Sequence, residues 1–193
     1  MSTHDSTSQN LSYQIRHGWL EPAVHVTSPN YDSRPVSCEV DLLVIHNISL
    51  PPGQFGGGEI EQLFCNTLAC DDHPYFERLR GLRVSSHLLI ERTGRVIQFV
   101  SFNDRAWHAG KSLFGGREAC NDFAIGIELE GTDDIPYTPE QYRQLSAITQ
   151  TLMQVYPGID KRSIVGHCDI APGRKTDPGP AFEWARFLGE LSG

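Results

Sequence analysis

The chain has no apolar run approaching the ~20 residues that a membrane-spanning helix needs. Its first ten residues, Met1 to Asn10, have neither a basic start nor an apolar core, so they do not read as a secretory signal. Positive charge is in deficit. The 16 Lys and Arg stand against 24 Asp and Glu, a formal net charge of −8. That balance argues against nonspecific binding to nucleic acid or to an anionic membrane, since both need clustered positive charge. Arg78, Arg80 and Arg83 lie close together, but three arginines in a polar stretch read first as a solvated face. Cysteine offers neither an even set nor a CxxC pair. Cys38, Cys65, Cys70, Cys120 and Cys168 fit reduced thiols in the cytoplasm, which is the expected location. There is no repeat, and no composition shift marks a linker after the polar first dozen residues. The expectation is a flexible tail over 1–12 and one domain over 13–193, long enough for a single sizeable core.

What the chain does have is a series of short β-rich runs mixed with helical patterns. Leu42 to Ile45 reads as a buried strand that delivers His46 at its C-terminal end. From Glu59 to about Leu68, Ile60, Leu63, Phe64 and Leu68 recur at helical spacing. Val84 to Glu91 and Arg95 to Val100 read as strands around a Thr93-Gly94 turn, which makes a hairpin. Phe123 to Glu130 is a further strand, its apolar members alternating with Ala124, Gly126, Glu128 and Glu130. Thr138, Pro139 and Gln141 suit the N-cap, the first helical position and the capping-box position of a helix. The inner stripe of that helix is Tyr142, Leu145, Ile148, Thr149 and Leu152, and Pro157 follows its end. Ile164-Val165 is a short strand that places His167 in a loop, and Phe182 to Leu191 reads as a closing helix. This order predicts an α/β fold: a single domain with a central mixed β-sheet flanked by helices.

The stretch Gly166 to Pro180 says most about chemistry. Three prolines and three glycines make it turn-rich, so it adds little to a core and is suited to holding polar groups in set positions. It carries His167, Lys175 and Asp177. A catalytic zinc takes three protein ligands and leaves one position for water. His46, His167 and Asp177 fit that requirement, all at strand ends or in loops. Zinc moves the pKa of bound water towards about 7. Any one histidine is more often a satisfied polar residue, so the signal lies in the combination. Cys168 and Asp169 compete with Asp177. Cys168 directly follows His167, and adjacent side chains in an extended segment point apart, so Asp177 is preferred, though composition alone leaves the choice open.

His87, mid-strand, reads as a support and His108 as a contact to substrate or loop backbone. Glu128 and Glu130 share a strand face, and one of them could be the general base. The bland alternative is a pair of solvated acids on an edge strand. Lys175 could stabilise an oxyanion or be an ordinary surface lysine.

Four segments together closely resemble the AmpD-type amidases: His46 to Gly57, Arg105 to Gly110, Ile125 to Gly131 and Gly166 to Pro180. These are the cytoplasmic 1,6-anhydro-N-acetylmuramyl-L-alanine amidases of Gram-negative bacteria, within the wider zinc amidase (amidase_2) and peptidoglycan-recognition superfamily. The resemblance runs in order and with matching spacing from about Gly18 to Phe187. It implies a mixed sheet with helices packed around it, and zinc held by His46, His167 and Asp177. It also implies Glu128 as the water-activating acid, Lys175 as the oxyanion partner, and a substrate groove lined by Asn47, Arg83, Trp107 and Arg174. The reaction it implies is hydrolysis of the amide between the lactyl group of anhydro-muramic acid and L-alanine in a small soluble muropeptide. The role would be peptidoglycan recycling, which limits β-lactamase induction. No nucleic-acid, membrane or protein partner is expected. A secreted or phage-type amidase acting on intact wall and a non-catalytic muropeptide-binding module are the alternatives.

Overall fold

The computed structural model describes residues 12–191, so the tail expected over 1–12 falls, but for its last position, outside the described residues. The centre is a six-stranded sheet. Its members in chain order are β1 (Val24–His25), β2 (Leu42–Ile48), β3 (Leu88–Ile90), β4 (Val96–Gln98), β5 (Ala124–Glu130) and β6 (Ile164–Gly166). In space they run β6-β2-β5-β3-β4-β1. The β3–β4 pair is antiparallel and every other neighbouring pair is parallel, so the sheet is mixed, as expected. Around it stand α1 (Glu59–Phe64), α2 (Pro139–Val155), the single turn α3 (His167–Ile170) and α4 (Trp184–Glu190).

The two long strands, β2 and β5, have a partner on each side, which is why their sequences read as nearly unbroken apolar runs. Alternation then assigns the faces. Leu43, Ile45, Ile125 and Ile127 join the larger core, where Tyr142, Leu145, Ile148 and Leu152 of α2 and Phe187 of α4 cover the sheet. Leu42, Val44 and Ala124 point the other way, into a small cluster with Ala109, Cys120 and Ile170. His46 and Glu128 continue that second face. Glu128 and Glu130 therefore sit in a central strand and are both buried, which overturns the solvated edge-strand alternative.

The start of α2 is as the sequence reads. The Thr138 hydroxyl accepts from the Gln141 N–H at 3.2 Å, the Gln141 side chain accepts from the Thr138 N–H at 3.1 Å, and Pro139 holds the first helical position. Gln141 also donates its amide to the carbonyls of Ile90 and Glu130, tying the helix to the ends of β3 and β5.

Elsewhere the elements are shorter than their patterns. α1 stops at Phe64, because Asn66 takes a left-handed φ of 61° and exchanges side-chain hydrogen bonds with Asn30. The first arm of the hairpin is ordered strand only over Leu88–Ile90. Before it, Ser85 and His87 donate their N–H groups to Trp107 and Gly126. His167 opens α3 and does not lie in a loop, and the Asp169 carboxylate accepts from the Gly166 N–H at 2.7 Å at its start. The turn-rich stretch after it does reach the interior, since Ile170, Ala171, Asp177 and Pro178 are buried.

The capping box predicts a measurable stability term. Thr138→Ala removes the cap and also the hydroxyl's 2.8 Å bond to the Arg92 carbonyl. The expected cost is about 1–2 kcal/mol, read as a lower urea midpoint at unchanged slope. A midpoint equal to wild type would show that the box contributes no net stability.

Candidate metal centre and active site

Strand register assembles the site. In the parallel β2–β5 pair His46 lies directly beside Glu128. In the parallel β6–β2 pair Gly166 lies beside Ile45, so the next residue, His167, comes out next to His46. Three chemistry-bearing residues thus emerge at the carboxyl ends of three adjacent parallel strands, where open α/β sheets form their ligand sites. Asp177 returns to the same point at the far end of the Gly166–Pro180 stretch. Its backbone carbonyl accepts from the Cys168 N–H, while Pro178 receives the Tyr137 hydroxyl at 2.8 Å and the Asn47 amide at 3.1 Å.

His46 Nδ1, His167 Nδ1 and Asp177 Oδ2 form a nearly equilateral triangle with sides of 2.9, 3.1 and 3.1 Å. Relative exposures are 1%, 2% and 8%, so water screens none of them well. The Nε2–H of His167 is 3.1 Å from the Ala109 carbonyl, which can only accept. That fixes the proton on Nε2 and leaves a bare lone pair on Nδ1, facing the other two groups. Converging lone pairs on two imidazoles and a carboxylate repel one another unless a cation sits among them. The ligands of a tetrahedral zinc, each at about 2.0–2.1 Å, are separated by roughly 3.3 Å, close to the spacing seen. The donor set and its geometry fit a small divalent metal. Burial lowers the His46 pKa to about 4, with the negative charge of Asp177 opposing the shift. For Asp177 burial acts to raise the pKa, but the two histidines beside it outweigh that and hold the carboxyl well below its usual range.

The triangle opens into a cavity of about 330 Å³ that is also lined by Asn47, Trp107, His108, Glu128 and Lys175. Glu128 is buried, and one of its oxygens is shielded with no hydrogen-bond partner among the described residues. Burial first, and the negative charge of Asp177 second, push its pKa well above the ordinary carboxylate value. Such a group is a stronger base than a solvated carboxylate. Glu130, two residues on, accepts from the Gly56 and Arg92 N–H groups. Register and partners thus separate two acids that strand periodicity alone could only pair.

Residues 36–180 match the N-acetylmuramoyl-L-alanine amidase family, Amidase_2. The chain belongs to that family. It is 58% identical over 173 residues to the Escherichia coli protein named 1,6-anhydro-N-acetylmuramyl-L-alanine amidase AmpD, a match covering 90% of this chain and 94% of that one. The crystal structure of a selenomethionine AmpD derivative matches with a TM-score of 0.90 at 55% identity, over 92% of this chain and 99% of that one. AmpDh3 from Pseudomonas aeruginosa, solved in complex with anhydromuramic pentapeptide, is 27% identical with a TM-score of 0.59, over 84% of this chain and 64% of that one.

Not every expected site residue of the amidase reaches the cavity. Arg83 is exposed and borders a smaller neighbouring cavity beyond Leu82. Arg174 borders another, and its guanidinium donates to the carbonyls of Ala109 and Lys111. Cys168 and Asp169, the rivals of Asp177, lie outside the triangle. His87 is a support: its Nδ1 accepts from the Gly126 N–H and its Nε2 lies 3.1 Å from the Asp104 carbonyl. Sequence reading missed three positioning groups. Asn121 accepts from the N–H groups of both His108 and Ala109. Asp133 receives the Asn47 amide, and Asp32 receives the Trp107 indole N–H at 3.2 Å. None belongs to a motif, because what each does depends on a partner distant in the chain.

The two acids should differ in stability as they differ in partners. Glu130→Ala leaves two N–H groups without their acceptor and should destabilise by about 1–3 kcal/mol. Glu128→Gln removes an unpartnered buried acid and should leave the thermal midpoint in chelator equal to or above wild type. A larger loss for Glu128→Gln than for Glu130→Ala would contradict these assignments.

Proposed function

We propose that this amidase uses zinc to hydrolyse the amide between the lactyl group of 1,6-anhydro-N-acetylmuramic acid and L-alanine of a soluble muropeptide. The observation that carries the reading is the buried triangle of lone pairs from His46, His167 and Asp177, set beside an unpartnered Glu128 in one cavity. Its support in substrate choice is the similarity to AmpD across nine-tenths of the chain. When bound, zinc supplies a Lewis acid that brings the ionisation of water towards neutral pH. Glu128 takes the proton of the attacking water, whose oxygen bonds to the lactyl carbonyl carbon. The same carboxyl returns the proton to the alanine nitrogen as the C–N bond breaks. The Lys175 ammonium faces the oxygen on which negative charge develops. Asn47, Trp107 and His108 wall the cavity on the substrate side. Arg83 and Arg174, bordering the neighbouring cavities, meet carboxylates of the peptide where it leaves that cavity.

The reading places the enzyme in the cytoplasm, acting on imported wall fragments in peptidoglycan recycling and so limiting β-lactamase induction. Consistent with it, no helix among the described residues is long and apolar enough to cross a membrane. The net charge of −8 gives the chain no pull towards an anionic wall.

Purified protein should hold about one zinc per chain, and mass spectrometry should find free anhydro-muramic acid and the stem peptide as products, with chelator abolishing both. Glu128→Ala and Lys175→Ala should keep zinc and lose turnover, the lysine variant by about 100- to 1000-fold. Full activity without metal would sink the chemistry, and a Glu128→Ala enzyme near wild type in kcat would move the base elsewhere. A separate comparison tests the recycling role. At matched amide concentration, soluble anhydro-muropeptide should be cleaved fast and intact sacculi slowly or not at all. Equal or faster release from sacculi would overturn that role and favour a wall-directed amidase.

A further inference from the structure

His108 does something the sequence does not suggest. Its Nδ1 lies 2.9 Å from the Nε2 of His46, with the two rings edge to face at 84°. His46 turns its other nitrogen, Nδ1, to His167 and Asp177. A neutral imidazole has one ring proton, so an Nδ1 free to hold a cation requires that proton on Nε2. There His108 Nδ1 is the hydrogen-bond partner of His46. It must then be bare, with the His108 proton on its own Nε2. That atom is shielded from solvent and has no partner among the described residues. The ring is therefore placed for what its Nδ1 does to His46, at the expense of its own second nitrogen.

The surroundings show how the ring is seated. The Asn121 side chain accepts from the N–H groups of His108 and Ala109, at 3.1 and 2.8 Å, and pins the backbone. The ring then lies against Gly126 of β5. A Cβ there would come within 2.5 Å of its Cγ and Nδ1, so only glycine leaves the space. Ala109, the very next residue, supplies the carbonyl that fixes the tautomer of His167. One dipeptide thus sets both imidazoles, His108 by its side chain and Ala109 by its backbone.

We infer that His108 is a positioning residue for the metal centre: it accepts the His46 Nε2–H, locks that imidazole in the tautomer and orientation that present Nδ1 to the metal, and depends on Gly126 for its seat. This rests on the zinc reading above and adds to it a residue outside the ligand set. Groups that accept the distal N–H of a ligating histidine fix the ring and raise its basicity, and losing one typically costs about 10- to 100-fold in metal affinity.

The test is zinc affinity, measured by competition with a chromophoric chelator on folded protein. Wild type should bind one zinc, and His108→Ala should bind it about 10- to 100-fold more weakly. His108→Asn should recover most of the loss, because its Oδ1 can take the place of Nδ1 as acceptor. Gly126→Ala, with His108 intact, should also weaken binding by displacing the ring. Nitrogen NMR of the zinc form should show the proton on Nε2 in both His46 and His108. The inference is overturned by His108→Ala at wild-type affinity, by Asn rescuing no better than Ala in folded protein, or by a proton on His108 Nδ1. A wild-type protein that binds no zinc would overturn the zinc reading as well, so the two failures are distinguishable.

Discussion

Two imidazole nitrogens and one carboxylate oxygen meet about 3 Å apart on side chains that are almost fully buried, an arrangement that a small cation among them stabilises. Much of the architecture brings these groups together and stops them turning away. Register in β6-β2-β5 places His46, His167 and Glu128 side by side without any loop having to find its way. The Asp177 loop is less constrained by the chain and is held by side chains: the Tyr137 hydroxyl and Asn47 amide on Pro178, and the Asp133 carboxylate on Asn47. Trp107 to Ala109 forms a third wall, pinned through Asn121 and Asp32, and orients the imidazoles from outside.

The same geometry divides labour between the acids. Glu128 is left without a partner on one oxygen and has its proton affinity raised by burial and by Asp177. Glu130 has both oxygens occupied by backbone N–H groups. One retains a proton-transfer capacity that the other has spent on holding the Gly56 and Arg92 backbone. The cationic residues divide too. Lys175 reaches the cavity, whereas the Arg174 guanidinium is engaged by the carbonyl that also receives His167.

Local signals in the chain were legible where the physics is local. The Thr138-Pro139-Gln141 start of α2 and its buried stripe follow from capping and periodicity, and both stand in the structure. The β2 strand ending near His46 follows from an unbroken apolar run. Sequence alone says less where a distant partner decides. By periodicity alone Glu128 and Glu130 looked equivalent, with only the family resemblance favouring Glu128, because a period of two cannot show that Gly56 and Arg92 claim one of them. α1 ends early because Asn66 is held by Asn30, 36 residues away. Arg83 and Arg174 could be placed near a groove by motif, but only the fold shows that neither lines the triad cavity. His108 read as a contact to substrate or loop backbone, and nothing in its motif reports that its ring also meets His46, 62 residues upstream.

X-ray absorption at the zinc edge tests the central claim most directly, since it reads the ligand set itself. The account predicts nitrogen and oxygen ligands only, at about 2.0–2.1 Å, with the multiple scattering of two imidazoles. A sulfur ligand at about 2.3 Å would put Cys168 in place of Asp177 and contradict the site described.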